Sequence, residues 1–191
     1  PAKGEVVLDV KAAGLCHSDV GALEEASWME IITEAPLIFG HEAAGVISEL
    51  GGGVRGFEIG DRVGVVPINP ETKATIGYQR DGGYATKLSV PANQLIRIPE
   101  GVSFIEGAAA TDAGMTSHRA LFEVGQAKKG DKVGIVGIGG LGQFALQMAL
   151  ATGCEVYAAD IAEHAREFAR KSGAHGVAKD IAEFADKELD V

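Results

Sequence analysis

Alternating apolar and polar positions mark short strands through the first half of the chain. Residues 5–10 and 45–50 alternate, 57–66 read as a turn and a strand, 86–90 as a strand, and 95–99 end the β-rich region. A period of two is the signature of a strand with one face buried. Glycine and proline punctuate the intervals. A glycine cluster occupies 51–53, Pro67 and Pro70 mark a loop over 65–79, and Asp81-Gly82-Gly83-Tyr84-Ala85 is a turn into the strand at 86. The 51–53 cluster reads as a hairpin-type turn, because no helical pattern follows it. Short strands between such turns predict a small β-barrel. Residues 24–34 are polar and mixed and predict a surface helix or loop. Ser103 and Glu106 form a capping box that opens a helical stretch reaching about residue 124.

The pattern then changes period. Val133-Gly134-Ile135-Val136 is a continuous apolar strand, and 143–150 is an apolar helix. Between them lies Gly137-Ile138-Gly139-Gly140-Leu141-Gly142, which fits G-x-G-x-x-G. Each glycine has a physical task if a dinucleotide binds here: Gly137 for a tight turn, Gly139 for close approach to a pyrophosphate, Gly142 for helix–strand packing. The N–H groups opening the helix, from Gly140 and Leu141 onward, would face the phosphates. A second strand over 155–159 ends on Asp160, placed to accept the ribose 2′-hydroxyl and to repel a 2′-phosphate, which favours NAD over NADP. An amphipathic helix over 161–172 stops at Gly173, and 176–178 is a short third strand. Asp180 and Glu183 cap another short helix, and 188–191 begin a further strand. A doubly wound sheet needs more strands than this. The chain is therefore expected to be part of a longer protein, with the sheet domain only half present.

Composition narrows the partners. The chain has 191 residues, 46% hydrophobic and 23% charged, as expected of a globular protein with a real core. A formal net charge of −10 argues against nucleic acid and against an anionic membrane surface. No apolar run is long enough to span a bilayer, and no leader precedes Pro1, so a cytoplasmic location is expected. The two cysteines, Cys16 and Cys154, do not suggest a disulfide scaffold or a C-x-x-C pair. Cys154 reads as a small buried apolar residue.

Cys16, His17, Ser18 and Asp19 put ligand and nucleophile types in consecutive positions. Alone they are ambiguous among metal ligands, a nucleophile pair and coincidence, and Ser18 or Asp19 could simply cap a short helix. The order of motifs adds more. Gly14-Leu15-Cys16-His17-Ser18-Asp19 is followed by Gly40-His41-Glu42-Ala43-Ala44-Gly45, Gly60-Asp61-Arg62-Val63, the Asp81–Ala85 turn and the glycine loop. Over essentially its whole length the chain resembles the zinc-dependent alcohol dehydrogenases of the medium-chain dehydrogenase/reductase superfamily. That resemblance implies a GroES-like β-barrel catalytic domain, over 1–122, followed by an incomplete Rossmann doubly wound parallel sheet, over 123–191.

The resemblance also implies a chemistry. Cys16 and His41 match the family's first two ligands to a catalytic zinc. The third is usually the Cys of a C-A-G-x-T pattern; here the segment is Asp112-Ala113-Gly114-Met115-Thr116, so Asp112 takes its place. The exchange keeps one negative charge, and carboxylate is a zinc ligand in its own right. Glu42 matches a residue near the metal, Asp19 an acid behind it, and Ser18 the residue that relays the alcohol proton. His17 matches a position near the pyrophosphate, and Thr116 one that contacts the nicotinamide. The implied activity is zinc-type, NAD(P)-dependent hydride transfer between the cofactor and a small-molecule alcohol, aldehyde or ketone, in a homodimer or homotetramer. The interval from Pro67 to Arg80 holds no cysteine, where many relatives carry four for a structural zinc, so no structural zinc is expected. His118 reads as structural, and His164 and His175 as surface residues. Two other readings stay open: a zinc-free quinone or enone reductase of the same superfamily, favoured only by Asp112, and a non-catalytic NAD-binding module.

Overall fold

Strand β1 (Glu5–Gly14) runs past its alternating segment because its second half pairs with β2 (Glu42–Leu50), with Gly14 opposite Glu42. β3 (Arg62–Val65), β4 (Lys87–Pro91) and β5 (Leu95–Arg97) complete an antiparallel sheet in the order β4-β1-β2-β3-β5. The computed structural model describes residues 1–32 and 35–191, which divide into two compact units, Pro1–Asp112 and Ala113–Val191. In the first unit all five strands feed one core. Val6 and Leu8 face Val90 and Leu88 across the β1–β4 register, and Ile47, Val63, Val65 and Leu95 join them. Edge strands β4 and β5 share that cluster, so the sheet curls round its core as a barrel does.

Helix α1 (His17–Glu24) follows β1, and a 3₁₀ turn covers Ala26–Glu30. This meets the expectation for 24–34 in part; positions 33 and 34 lie outside the described residues. Arg62 places its guanidinium over the Phe104 ring, 4.7 Å from the centroid, and donates to the Val102 carbonyl. It thereby ties β3 to the start of α2 (Phe104–Ala109). Ser103 caps α2 with the expected box: its Oγ accepts from Glu106 N–H at 3.2 Å, and Glu106 Oε2 accepts from Ser103 N–H at 2.8 Å. The helical stretch then widens into a π turn over Ala110–Gly114, returns to α-helix in α3 (Met115–His118), and ends in a second π segment, Arg119–Val124.

The second unit alternates strand and helix: β6 (Lys132–Val136), α4 (Gly140–Thr152), β7 (Glu155–Ala159), α5 (Glu163–Ser172) and β8 (Gly176–Ala178). The strands are parallel in the order β6-β7-β8. Val133, Ile135, Val156 and Ala158 pack against Leu146 and Ala149 of α4 and Ala165 and Ala169 of α5. Both helices stop at left-handed glycines, Gly153 and Gly173. Residues 188–191 do not form the regular strand expected of them. They run along β6 nonetheless: Gly134 N–H donates to the Val191 carbonyl at 2.8 Å, and Asp190 N–H to the Lys132 carbonyl at 2.8 Å. β6 stands at the edge of the sheet with β7 on one side, so this contact is on the edge that β7 leaves open. Among the described residues no helix is long and apolar enough to cross a membrane.

Candidate active site

The pairing of β1 with β2 brings two motifs together. Cys16 leaves the end of β1 and His41 immediately precedes β2. Asp112 comes from the centre of the π turn on the helix packed across the sheet, and π turns recur at functional sites because they re-aim a side chain. One ligand atom from each of Cys16, His41, Glu42 and Asp112 lies within 4.8 Å of all the others. His41 Nε2 is 3.4 Å from Asp112 Oδ2. Thiolate, imidazole and carboxylate at such spacing form a donor set that fits zinc.

The orientation of His41 is imposed from behind. Its Nδ1 lies 3.2 Å from Asp19 Oδ1, and an ionised carboxylate only accepts, so Nδ1 carries the proton and Nε2 points into the cluster. Asp19 is 2% exposed. It also caps the start of α1, as expected of it, accepting from Cys16 N–H at 3.1 Å as the third residue of a capping box whose N-cap is Cys16. Burial opposes a positive charge on His41, yet the hydrogen bond with Asp112 and the charge of Asp19 outweigh it and push its pKa up to about 9. The surrounding acids favour positive charge at that point.

Glu42 is buried, and burial together with the charge of Asp112 raises its pKa. Its carboxylate occupies the space beside Gly14, where a Cβ would come within 1.8 Å of Glu42 Oε2. The glycine of the first motif thus clears room for the acid of the second. Ser18 Oγ lies 3.6 Å from Cys16 Sγ. His17 is exposed at the first position of α1.

Sequence reasoning passed over two residues here. Tyr78 stacks at 5.4 Å from the His41 ring and reaches Asp19 Oδ1 at 3.5 Å, and Tyr84 Oη lies 2.9 Å from Asp19 Oδ2. Burial raises the pKa of both phenols, with Asp19 adding to it, so they stay protonated and donate. The turn that carries Tyr84 also grips the segment before His41. Gly82, Gly83 and Tyr84 N–H groups donate to the carbonyls of Ile38, Gly40 and Phe39, and Asp81 Oδ1 accepts from Ile38 N–H at 2.9 Å. In the cysteine-free loop before it, Asn69 Nδ2 donates to Gln94 Oε1 at 3.2 Å, and fully buried Gln94 donates to the Val66 carbonyl at 2.8 Å.

In the second unit the glycine loop has the expected form. Gly137 has φ +84°, and Gly139 and Gly140 have open space around their Cβ positions. A Cβ on Gly142 would lie 1.8 Å from the Gly137 carbonyl oxygen, so only glycine permits this turn to enter α4. The N-cap of α4, Gly139, makes no side-chain cap, and the first N–H groups of a helix have no partner within it. A groove of about 220 Å³ runs along Thr116, Ser117, Gly137, Leu141 and Gly142. Asp160 adjoins the loop: its carboxylate accepts from Ile138 N–H at 2.7 Å and Ala162 N–H at 2.8 Å, and these bonds hold its pKa below the usual carboxylate range. His118 packs on the Phe122 ring at 4.9 Å.

The family profile described as the alcohol dehydrogenase GroES-like domain matches residues 2–100. The chain belongs to the alcohol dehydrogenases of the medium-chain dehydrogenase/reductase superfamily. It is 39% identical over 187 residues to an alcohol dehydrogenase of Geobacillus stearothermophilus, covering 90% of this chain and 55% of that protein. Among solved structures, the acetophenone reductase of Geotrichum candidum in complex with NAD matches with a TM-score of 0.81 and 31% identity, over 93% of this chain and 56% of that one. The cobalt- and zinc-bound thermostable alcohol dehydrogenase of Pyrobaculum aerophilum matches with a TM-score of 0.81 and 29% identity, over 93% and 58%. The chain spans just over half the length of these relatives, and its first domain is of the GroES-like kind.

Proposed function

We propose that the intact protein transfers hydride between NAD and a small alcohol or its carbonyl counterpart at one catalytic zinc, with Cys16, His41 and Asp112 as the ligands. The clustering of four donor atoms within 4.8 Å carries this reading. A thiolate and a carboxylate together balance the charge of a divalent cation, and the neutral imidazole completes a three-residue set that leaves a position for substrate. When bound, zinc supplies Lewis acidity toward the substrate oxygen, and the nicotinamide supplies the hydride acceptor.

The protein's own groups do the rest. Asp19 fixes the tautomer and angle of His41. Glu42 stands beside the ligands as a further carboxylate. Ser18, on the first turn of α1, accepts the hydroxyl proton of the alcohol as its own hydroxyl proton passes to solvent, and His17 is the residue next to it, matched to the pyrophosphate. In the second domain the opening N–H groups of α4, at Gly140 and Leu141, hold the pyrophosphate where Gly137 and Gly139 leave room. Thr116 lines the same groove and orients the nicotinamide. Asp160 accepts the ribose hydroxyls and repels a 2′-phosphate. The relatives that match an NAD complex and a zinc-bound enzyme support the same assignment.

The test is nicotinamide reduction by the zinc-loaded intact protein across a panel of alcohols. Turnover with NAD is expected to exceed that with NADP, to vanish on chelation and to return with zinc. Undiminished reduction of a quinone or enone after chelation would replace this reading with that of a zinc-free reductase. No turnover across the panel by loaded protein would indicate a binding module.

A further inference from the structure

We propose that Tyr84 is a positioning residue for the metal centre, acting on His41 through Asp19. The inference rests on the reading of Cys16, His41 and Asp112 as metal ligands and extends it two layers outward. Asp19 receives a donor in each of its available directions: His41 Nδ1 at 3.2 Å and Tyr78 Oη at 3.5 Å on Oδ1, Cys16 N–H at 3.1 Å and Tyr84 Oη at 2.9 Å on Oδ2. Two of those donors belong to residues that hold the metal. A carboxylate fixed on all sides fixes in turn the imidazole that leans on it. Tyr84 makes the shortest of these contacts, and a bond to an ionised acceptor is the strong kind. The phenol has a single proton, and the Gly14 carbonyl lies 3.0 Å from the same oxygen. The charged acceptor wins that competition, which leaves the Gly14 contact secondary.

The backbone makes the link rigid. The same turn that supplies Tyr84 binds the carbonyls of residues 38–40, and the Tyr84 ring lies against Gly40, where a Cβ would approach it to 2.7 Å. Tyr84 therefore reports to His41 twice, through the carboxylate behind the ring and through the backbone before it. The Asp-Gly-Gly-Tyr motif is then part of the metal centre without supplying a ligand.

Zinc affinity of the intact protein, measured by competition against a chromophoric chelator, tests this with Tyr84→Phe and Tyr78→Phe. Tyr84→Phe keeps the ring on Gly40 and removes only the hydroxyl. Its zinc Kd is expected to rise about tenfold, the lower end of the effect of losing an outer partner of a metal ligand. The visible absorption of the cobalt-loaded form should shift as the imidazole turns. Tyr78→Phe, with its longer contact, should change Kd less. A Tyr84→Phe protein with the parent's Kd and cobalt spectrum would overturn the proposal, whatever its melting temperature, and would leave the phenol serving Gly14 alone. If the parent itself takes up no zinc, the ligand assignment fails and this inference with it.

Discussion

Zinc binding is expected to be lost in His41→Ala. The substitution removes the one neutral ligand and leaves the thiol of Cys16 and the carboxylates of Asp112 and Glu42 facing each other. Removing an outer partner of a ligand costs about 10–100-fold in metal affinity, and removing the ligand itself should cost more than that range. A second consequence is structural. Asp19 is 2% exposed and loses a hydrogen-bonding partner at 3.2 Å. Breaking a buried pair by deleting one member costs about 3–5 kcal/mol, because the remaining charge stays buried. Metal analysis should find no retained zinc, and the unfolding midpoint should fall even in metal-free buffer. Zinc retained at the parent level would remove His41 from the ligand set.

Gly142→Ala should be the most damaging substitution in the glycine loop. Its Cβ would lie 1.8 Å from the Gly137 carbonyl oxygen, and both groups belong to the backbone, so no side chain can swing aside. Forced overpacking of this kind costs about 1–3 kcal/mol or more, and the movement that relieves it opens the turn that cradles the pyrophosphate. Gly139→Ala gives the contrast. That Cβ meets nothing within 4 Å in the protein, so its cost should appear only when the cofactor approaches. Thermal unfolding and NAD titration of the intact protein separate the two. Gly142→Ala should lose stability and NAD binding together, Gly139→Ala NAD binding alone. Equal stability in the two variants would contradict the role given to Gly142.

Much of this was legible in the residues because local rules and tertiary packing agree. The alternation over 5–10 and the strand over 86–90 put Val6, Leu8, Leu88 and Val90 on one face, and the β1–β4 register faces them across the same core. Ser103 with Glu106, Asp180 with Glu183, and Gly173 punctuated helices where the sequence placed their ends. The expectation failed where long-range contact decides. Nothing in the run from Ala110 to Gly114 announces a π turn, because the choice between helix types depends on what the stretch packs against. Residues 188–191 have strand-forming character yet meet only part of the β6 edge. Cys16, His41 and Asp112 could be paired by family pattern, but Tyr78 and Tyr84 could not be joined to Asp19 without the fold. Their separations in sequence are long, and a tyrosine in a turn carries no local sign of its acceptor. Gly14 and Glu42 are similar: only the β1–β2 pairing shows that one makes space for the other.

A catalytic zinc with one sulfur ligand, one imidazole and oxygen for the remainder is tested by X-ray absorption at the zinc edge of the loaded intact protein. A single sulfur scatterer is expected at about 2.3 Å, from Cys16, with nitrogen and oxygen neighbours at about 2.0–2.2 Å from His41 and Asp112. A spectrum of nitrogen and oxygen neighbours alone, or one unchanged by Asp112→Asn and His41→Ala, would contradict it.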